Sequence, residues 1–529
     1  MAKSRPFSFY LLKQGETPSS TLRETANISE PINAAHLPQR SELRLGRTVG
    51  GRPWWRDYFG IEERLFQQAS SAVLFLPNGD GWLAITFGSA FHSLNQDALE
   101  HDFGLRVTLN CVQPDNLRST DTVEPSGSRR RRTQIPIAAD LTSFDFDTDN
   151  SILKRLTGAV RNEYKAFFKN ITGSTNVKLT STVLPEELPS LAEKLVEIYQ
   201  SKQFEQHFPN IHNIVPVRDP STLETLNASL LRAINSRAEN VSLAIPDILD
   251  FDRVADVKYK GLRYKTSGNN VDINDYFNAL EKFFPNQEIR LESIDSLKKQ
   301  RLELVGENAE ITNSNSIWSS LVFDTTIEHQ KGTFHLNEGN WYQVDEKFAG
   351  ELTSDLDKYW KESDLPPFTQ GKEGDYNANV PSHCKNICCL DGENISPRGQ
   401  TRIEPCDLGD LGDGGLKLLH VKRSTRSASL SHLFSQATTS TELLIFENDA
   451  REKLVQLIEE KTDAEHSNAS KTHLENRTFR VGYVIITKKP PSDKSSNLPL
   501  FSRINLRRSL RDLDARGCEP TFEFVNQNK

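Results

Sequence analysis

The sequence is short of several things, and each shortage closes a class of function. It has no stretch of about 18 apolar residues, so no transmembrane helix is expected. Residues 1–6, MAKSRP, lack the apolar core of a secretory signal. The six cysteines (Cys111, Cys384, Cys388, Cys389, Cys406 and Cys518) are few for 529 residues. A disulfide framework is therefore not expected, and a reducing, cytoplasmic compartment is. Cys384, Cys388 and Cys389 crowd beside His383, but the paired CxxC arms of a structural zinc site are missing. Buried apolar thiols are the expectation there. The absence of a GxxxxGK[ST] phosphate loop and of a GxSxG elbow argues against an NTPase and a serine hydrolase. Positive charge is not in excess either, the net charge being −8. That is not the balance of a protein that coats itself in nucleic acid, and it leaves such contact to a local basic patch.

What is present is polar and globular, with 36% hydrophobic and 26% charged residues. The length suits about three domains. Residues 7–14, FSFYLLKQ, read as an opening strand. SAVLFL (71–76) and WLAITFG (82–88) form a hairpin around the PNGDG turn at 77–81. A short helix over 96–101 and a strand over 104–110 follow. Leu191, Leu195, Val196, Ile198 and Tyr199 recur at helical spacing in 189–203, and 221–237 reads the same way. Residues 257–264 alternate as a strand, and 273–306 carry two helices, the second over 293–304. Strands at 316–325, 332–336 and 338–344 precede a helix at 345–361. The fold class is α/β, in the broad sense of a multidomain α+β chain. Its divisions are an N-terminal α+β domain (1–150), a mixed middle region (151–315) and a C-terminal domain (316–529).

The densest positive charge is Arg129-Arg130-Arg131-Arg132, inside a Ser/Thr-rich stretch. It is either a solvated loop or a patch whose guanidinium forks contact phosphate. The acidic run at 140–149 offers it internal partners.

The C-terminal third is organised around 401–442. A short strand ending in an acid, IEPCDL (403–408), is followed by a Gly/Asp-rich turn. A second apolar strand, 416–422, ends in Lys422. A basic loop leads into a helix containing SHLFSQ (431–436), and a strand at 482–487 is apolar enough for burial on both faces. Glu373 lies upstream, and a basic helix at 506–513 closes the set.

That order of helix, three strands, helix and strand, with its acids and lysine, resembles the PD-(D/E)XK restriction-endonuclease-like superfamily over roughly 365–515. The resemblance implies an αβββαβ core holding one or two Mg²⁺ or Mn²⁺ ions. Glu373 resembles its helix acid, Asp407 its central metal-binding Asp, Lys422 its catalytic Lys, and Gln436 a helix glutamine carried by some members. The chemistry is physically sensible. Mg²⁺ takes oxygen ligands and keeps several waters. Glu373 and Asp407 could hold it against a phosphate, where it acidifies a water and neutralises charge developing on phosphorus. Lys422 could orient that water.

The sequence departs from the superfamily at His420, where an acid is expected two residues before the lysine. Imidazole is a poorer Mg²⁺ ligand and suits softer metals better. Three arrangements stay open. His420 binds the metal or the phosphate; Glu404 supplies the missing acid; or the site grips nucleic acid without cutting it. Beside the site, Arg423, Arg426, His432 and Ser431 suit a polyanion, as do the free N–H groups of the helix start near 427–429. Ordinary serine capping is the plainer reading of that helix start.

A second resemblance covers nearly the whole chain. The phrases LAITFG (83–88), DFGLRVTLN (102–110), GNWY (339–342), EPCDL (404–408), HVKR (420–423) and LSHLFSQ (430–436) are similar to those of a sporadically distributed bacterial family catalogued as a domain of unknown function. It implies that HVKR and SHLF are that family's normal form, and its sporadic distribution implies anti-phage defence. The expected function is metal-dependent hydrolysis of DNA in defence. The rivals are a nuclease-like fold that binds nucleic acid or a phage protein without hydrolysis, and an RNase. Expected partners are DNA ahead of RNA, a protein or phage trigger, and further copies in a homo-oligomer.

Overall fold

A computed structural model describes residues 4–24, 26–49, 59, 62, 68–124, 129–144, 152–208, 214–238, 240–246, 254–262, 264–265, 271–284, 291–306, 310–327, 330–344, 346–369, 371–397, 402–412, 415–424 and 427–527. The chain divides into two compact units. One comprises Met1–Val123 with Arg130–His212, and the other Glu124–Arg129 with Asn213–Lys529. Both are mixed α+β. Among the described residues, no helix is long and apolar enough to cross a membrane.

The first unit is built on a nine-stranded sheet. Its order is Glu42–Val49, Gln68–Asn78, Gly81–Phe87, Arg5–Leu11, Val177–Ser181, Asn170–Gly173, Ile152–Val160, Val112–Glu124 and Arg129–Ala139. The expected hairpin closes with Asn78 opposite Gly81, and Gly79 takes the positive φ of 57° that the turn requires. The helix Leu188–Gln200 buries the predicted Leu191, Leu195, Val196, Ile198 and Tyr199.

Residues 104–110 are a correction. Their alternating Leu, Val and Leu read as a strand, but Phe103–Cys111 is an α-helix. Tertiary contacts override the local preference. A Cβ on Gly104 would stand 1.9 Å from the Asn176 carbonyl oxygen, so only glycine lets the helix backbone lie against the turn between the strands Asn170–Gly173 and Val177–Ser181. The buried Asn110 side chain then ties the helix end to its neighbours. It donates to Ile198 O (2.8 Å) and Ser201 O (3.0 Å) and accepts from Phe204 N (2.9 Å).

The second unit holds three sheets. Two are antiparallel, of five and four strands, and share one apolar core with the helices Pro220–Asn235 and Ile273–Phe283. The helix predicted over 293–304 is only Ile294–Lys299. The chain then enters the strand Arg301–Val305, whose LELV segment is buried.

The third sheet orders Ile387–Cys389, Leu408–Asp410, Lys417–Lys422, Arg480–Thr487 and Thr521–Asn526. The first three strands pair antiparallel with one another in turn, and the last two lie parallel to Lys417–Lys422. A parallel return needs a long crossover. The helices Ser427–Phe446, Asn448–Glu459 and Ala464–Glu475 make one, and Leu500–Ala515 makes the other. Arg480–Thr487 is buried along nearly its whole length, as its composition predicted. Leu419, Val421, Val484 and Ile486 pack with Tyr376 and Val380 of the helix Glu373–His383.

Candidate functional site

The strand pairing itself assembles the acids. The Asp407 N–H donates to Leu419 O (3.0 Å), and Leu390 N donates to Asp407 O (2.8 Å). Asp407 therefore precedes the short strand Leu408–Asp410 instead of ending one as predicted, wedged between the lysine strand and the residue before Asp391. Pro405 just upstream cannot donate to a ladder, which is consistent with the late strand start. The loop from 392 folds back, with Ile395 N on Ile403 O at 3.0 Å, and delivers Glu404 to the same place. Asp391, Glu404 and Asp407 each offer an oxygen, and these atoms lie within 4.8 Å of one another. All three residues are half-buried.

Asp407 is the most perturbed of them. Burial pushes its carboxyl up to about 7, with the neighbouring Asp391, Glu373 and Glu404 adding to the rise. The Val421 N–H, donating to Oδ2 at 2.6 Å, pulls the other way. Carboxylates gathered this closely repel one another unless a proton or a cation neutralises them.

Glu373 is the first residue of the helix Glu373–His383, which follows the helix that ends at Asp357. Its two oxygens are both engaged: Lys422 Nζ donates to Oε1 (2.7 Å) and Arg423 N to Oε2 (2.5 Å). Arg423 is held in turn, its guanidinium 4.4 Å from the Phe368 ring centre and donating to Gly371 O at 2.7 Å. Lys422 is thus fixed at the strand end by an ion pair.

His420 goes elsewhere. It is 3% exposed and faces Tyr483, ring centres 6.5 Å apart. Its Nε2 is buried without a hydrogen-bond partner, and burial pushes its pKa down to about 3. Tyr483 packs edge-on against Phe434 and shares a 2.6 Å hydrogen bond with Ser509. The imidazole is therefore neutral and part of the core beneath the SHLF helix, apart from the acid group.

The other predicted residues separate by exposure. His432 is exposed and Gln436 half-buried on the helix Ser427–Phe446. Ser431 is buried and receives a hydrogen bond from Asn505 (3.0 Å). Arg426 lies outside the described residues. Arg129–Arg132 open the last strand of the nine-stranded sheet. Arg132 makes a two-pronged pair with Asp121 (2.9 and 2.7 Å). Arg131 is exposed and Arg130 half-buried. All six cysteines are free. Among the described residues, the grouping within metal-binding distance is the three acids, not the thiols.

Asp391 had no part in the sequence reading. Its only local signal is an acid directly after an apolar strand, and its meeting with Asp407 is set by the Leu390–Asp407 backbone bond. The arrangement defines a class: an α+β protein with an all-carboxylate group beside a Lys–Glu pair on a mixed sheet. The chain belongs to the family of unknown function DUF6119, whose model matches residues 7–526. No curated protein and no solved structure matches it.

Proposed function

We propose that the chain is a divalent-cation-dependent nuclease of the PD-(D/E)XK kind, hydrolysing DNA phosphodiester bonds in anti-phage defence. The observation that carries this reading is the convergence of Asp391, Glu404 and Asp407 next to the strand that ends in the tethered Lys422. Three carboxylates suit Mg²⁺ or Mn²⁺, which take hard oxygen ligands and retain waters for chemistry. When bound, the cation supplies an acidified water and charge neutralisation at phosphorus. Asp407, whose carboxyl burial pushes up to about 7, would be favoured in its ionised, ligating form by a bound cation. Lys422, held by its ion pair with Glu373, would orient the attacking water and meet charge on the phosphate. His432 and Gln436 offer polar groups from the adjoining helix to the nucleic-acid backbone.

One observation favours a second reading, a fold that grips nucleic acid without cutting it. The residue that would be the second acid of the lysine strand is His420, and it is turned into the core. The test is to incubate the purified protein with plasmid, single-stranded DNA and RNA in Mg²⁺ or Mn²⁺. Cleavage that disappears in both Asp407→Ala and Lys422→Ala supports the enzyme, and the preferred substrate separates DNase from RNase. Tight binding with no cleavage in either metal supports the second reading.

A further inference from the structure

We infer that Asn377 belongs to the cation site, holding one of the cation's waters, and that Glu373 is not among the ligands. The inference rests on the proposed nuclease reading for the presence of a cation, but not for turnover.

Asn377 lies in the second turn of the helix Glu373–His383 and is fully buried. Its Nδ2 donates to Asp391 Oδ2 at 2.9 Å. An ionised carboxylate only accepts, so this bond fixes which end of the amide is nitrogen. The other end, Oδ1, is buried and has no hydrogen-bond partner. A buried acceptor rarely stays unsatisfied. The neighbouring acids cannot satisfy it in the ionised form that binds a cation, because a carboxylate only accepts. A cation between Asp391, Glu404 and Asp407 removes both difficulties, since its charge balances the acids and its waters donate to Oδ1.

The helix is shaped for this approach. Gly374, three residues earlier on the same face, would put a Cβ 3.4 Å from Asp391 Oδ2, so the acid sits directly against the helix. Every donor in the set is oxygen, which selects Mg²⁺, Mn²⁺ or Ca²⁺ over softer metals. Glu373, by contrast, has its charge met by Lys422 and its second oxygen by the Arg423 N–H. Asn377 therefore stands behind Asp391 as an outer partner that orients a ligand, the kind whose loss typically lowers metal affinity about 10- to 100-fold.

The test is Mn²⁺ binding to the full chain without substrate, read by electron paramagnetic resonance of the free ion. Circular dichroism of each variant checks folding. The wild type should bind. Asp391→Asn and Asp407→Asn should lose binding, and Asn377→Ala should weaken it about tenfold or more. Asn377→Ser, which keeps a small oxygen acceptor, should fall between, and it decides the matter if the alanine variant does not fold. Glu373→Gln should bind within about twofold of wild type. Unchanged affinity in the Asn377 variants would make the amide a structural group served by an ordinary buried water, and would overturn the inference. So would a loss in Glu373→Gln as large as in Asp407→Asn, or a wild type that binds no Mn²⁺. A wild type that binds Mn²⁺ in the expected ranking yet cuts no nucleic acid would keep the site and remove the nuclease reading.

Discussion

At the scale of single residues, the two most perturbed groups of the C-terminal sheet pull stability in opposite directions with pH. His420 has its folded pKa lowered to about 3 from 6.5. Below 6.5 the unfolded chain takes up a proton that the native imidazole refuses, so stability is lost as pH falls through that window. Each pH unit costs roughly 1.4 kcal/mol. His420→Leu removes the effect along with an unpaired buried nitrogen. Its melting temperature should therefore rise relative to wild type by a few °C between pH 7.5 and pH 5, measured by scanning calorimetry. Any metal-dependent cleavage should survive, since the imidazole lies apart from the acids. Asp407 has its folded pKa raised to about 7 from 3.8. The native state holds the extra proton between those values, so stability falls as pH rises through them and the full cost is present above 7. Asp407→Asn should accordingly melt a few °C higher than wild type at pH 8 without metal and close to it at pH 4. Added Mg²⁺ should raise the wild-type melting temperature and leave the variant's unchanged. A stabilising substitution that abolishes a response to cation is the mark of a site whose charges are held for function.

At the scale of elements, legibility depended on whether the deciding contacts were local. The hairpin at 68–87, the helix Leu188–Gln200 and the buried strand Arg480–Thr487 announce themselves through turn residues and apolar spacing. The acid and the lysine of the candidate site were visible because both sit at the ends of short apolar runs. Asp391 was not, because a backbone bond between distant loops places it. The role of His420 stayed open for the same reason. Strand alternation puts residues 420 and 422 on one side, but only the helices packed above show that this side is core. The helix Phe103–Cys111 is the sharpest case, a strand-like sequence made helical by what it lies on. Gly104→Ala should therefore disrupt the first unit. Its Cβ would overlap the Asn176 carbonyl at 1.9 Å, and relief requires backbone to move. A loss of about 3 kcal/mol or more is expected, seen as early melting and rapid limited proteolysis within that unit. Gly350→Ala, at an exposed position of the helix Glu346–Asp357 with nothing within 4 Å, should gain about 0.5–1 kcal/mol.

At the scale of the whole molecule, the proposed nuclease reading requires a chain of net charge −8 to engage a polyanion through restricted patches. Two basic features lie in different compact units. Lys422 ends a strand of the C-terminal sheet, with the exposed His432 on the helix Ser427–Phe446 that follows it, and Arg130–Arg132 belong to the nine-stranded sheet. They should differ in what they do. Arg132 is matched by Asp121, so its loss is expected mainly to loosen the strand. Arg131 is exposed and Arg130 half-buried, and guanidinium forks of this kind contact phosphates without reading sequence. Each phosphate neutralised on duplex DNA adds about 0.9 to the slope of log affinity against log salt. Replacing Arg130 and Arg131 together by Ser should therefore reduce that slope by about 2, measured by fluorescence anisotropy of labelled duplex between 50 and 300 mM salt. On the proposed reading, cleavage of saturating substrate should be unchanged, because phosphate contacts of this kind position the duplex and set affinity. Lys422→Ala should do the reverse, leaving the slope within about one unit and stopping turnover. A double arginine variant with an unaltered salt slope would assign the arginine strand to the sheet's own structure and restrict the proposed nucleic-acid contact to the C-terminal unit.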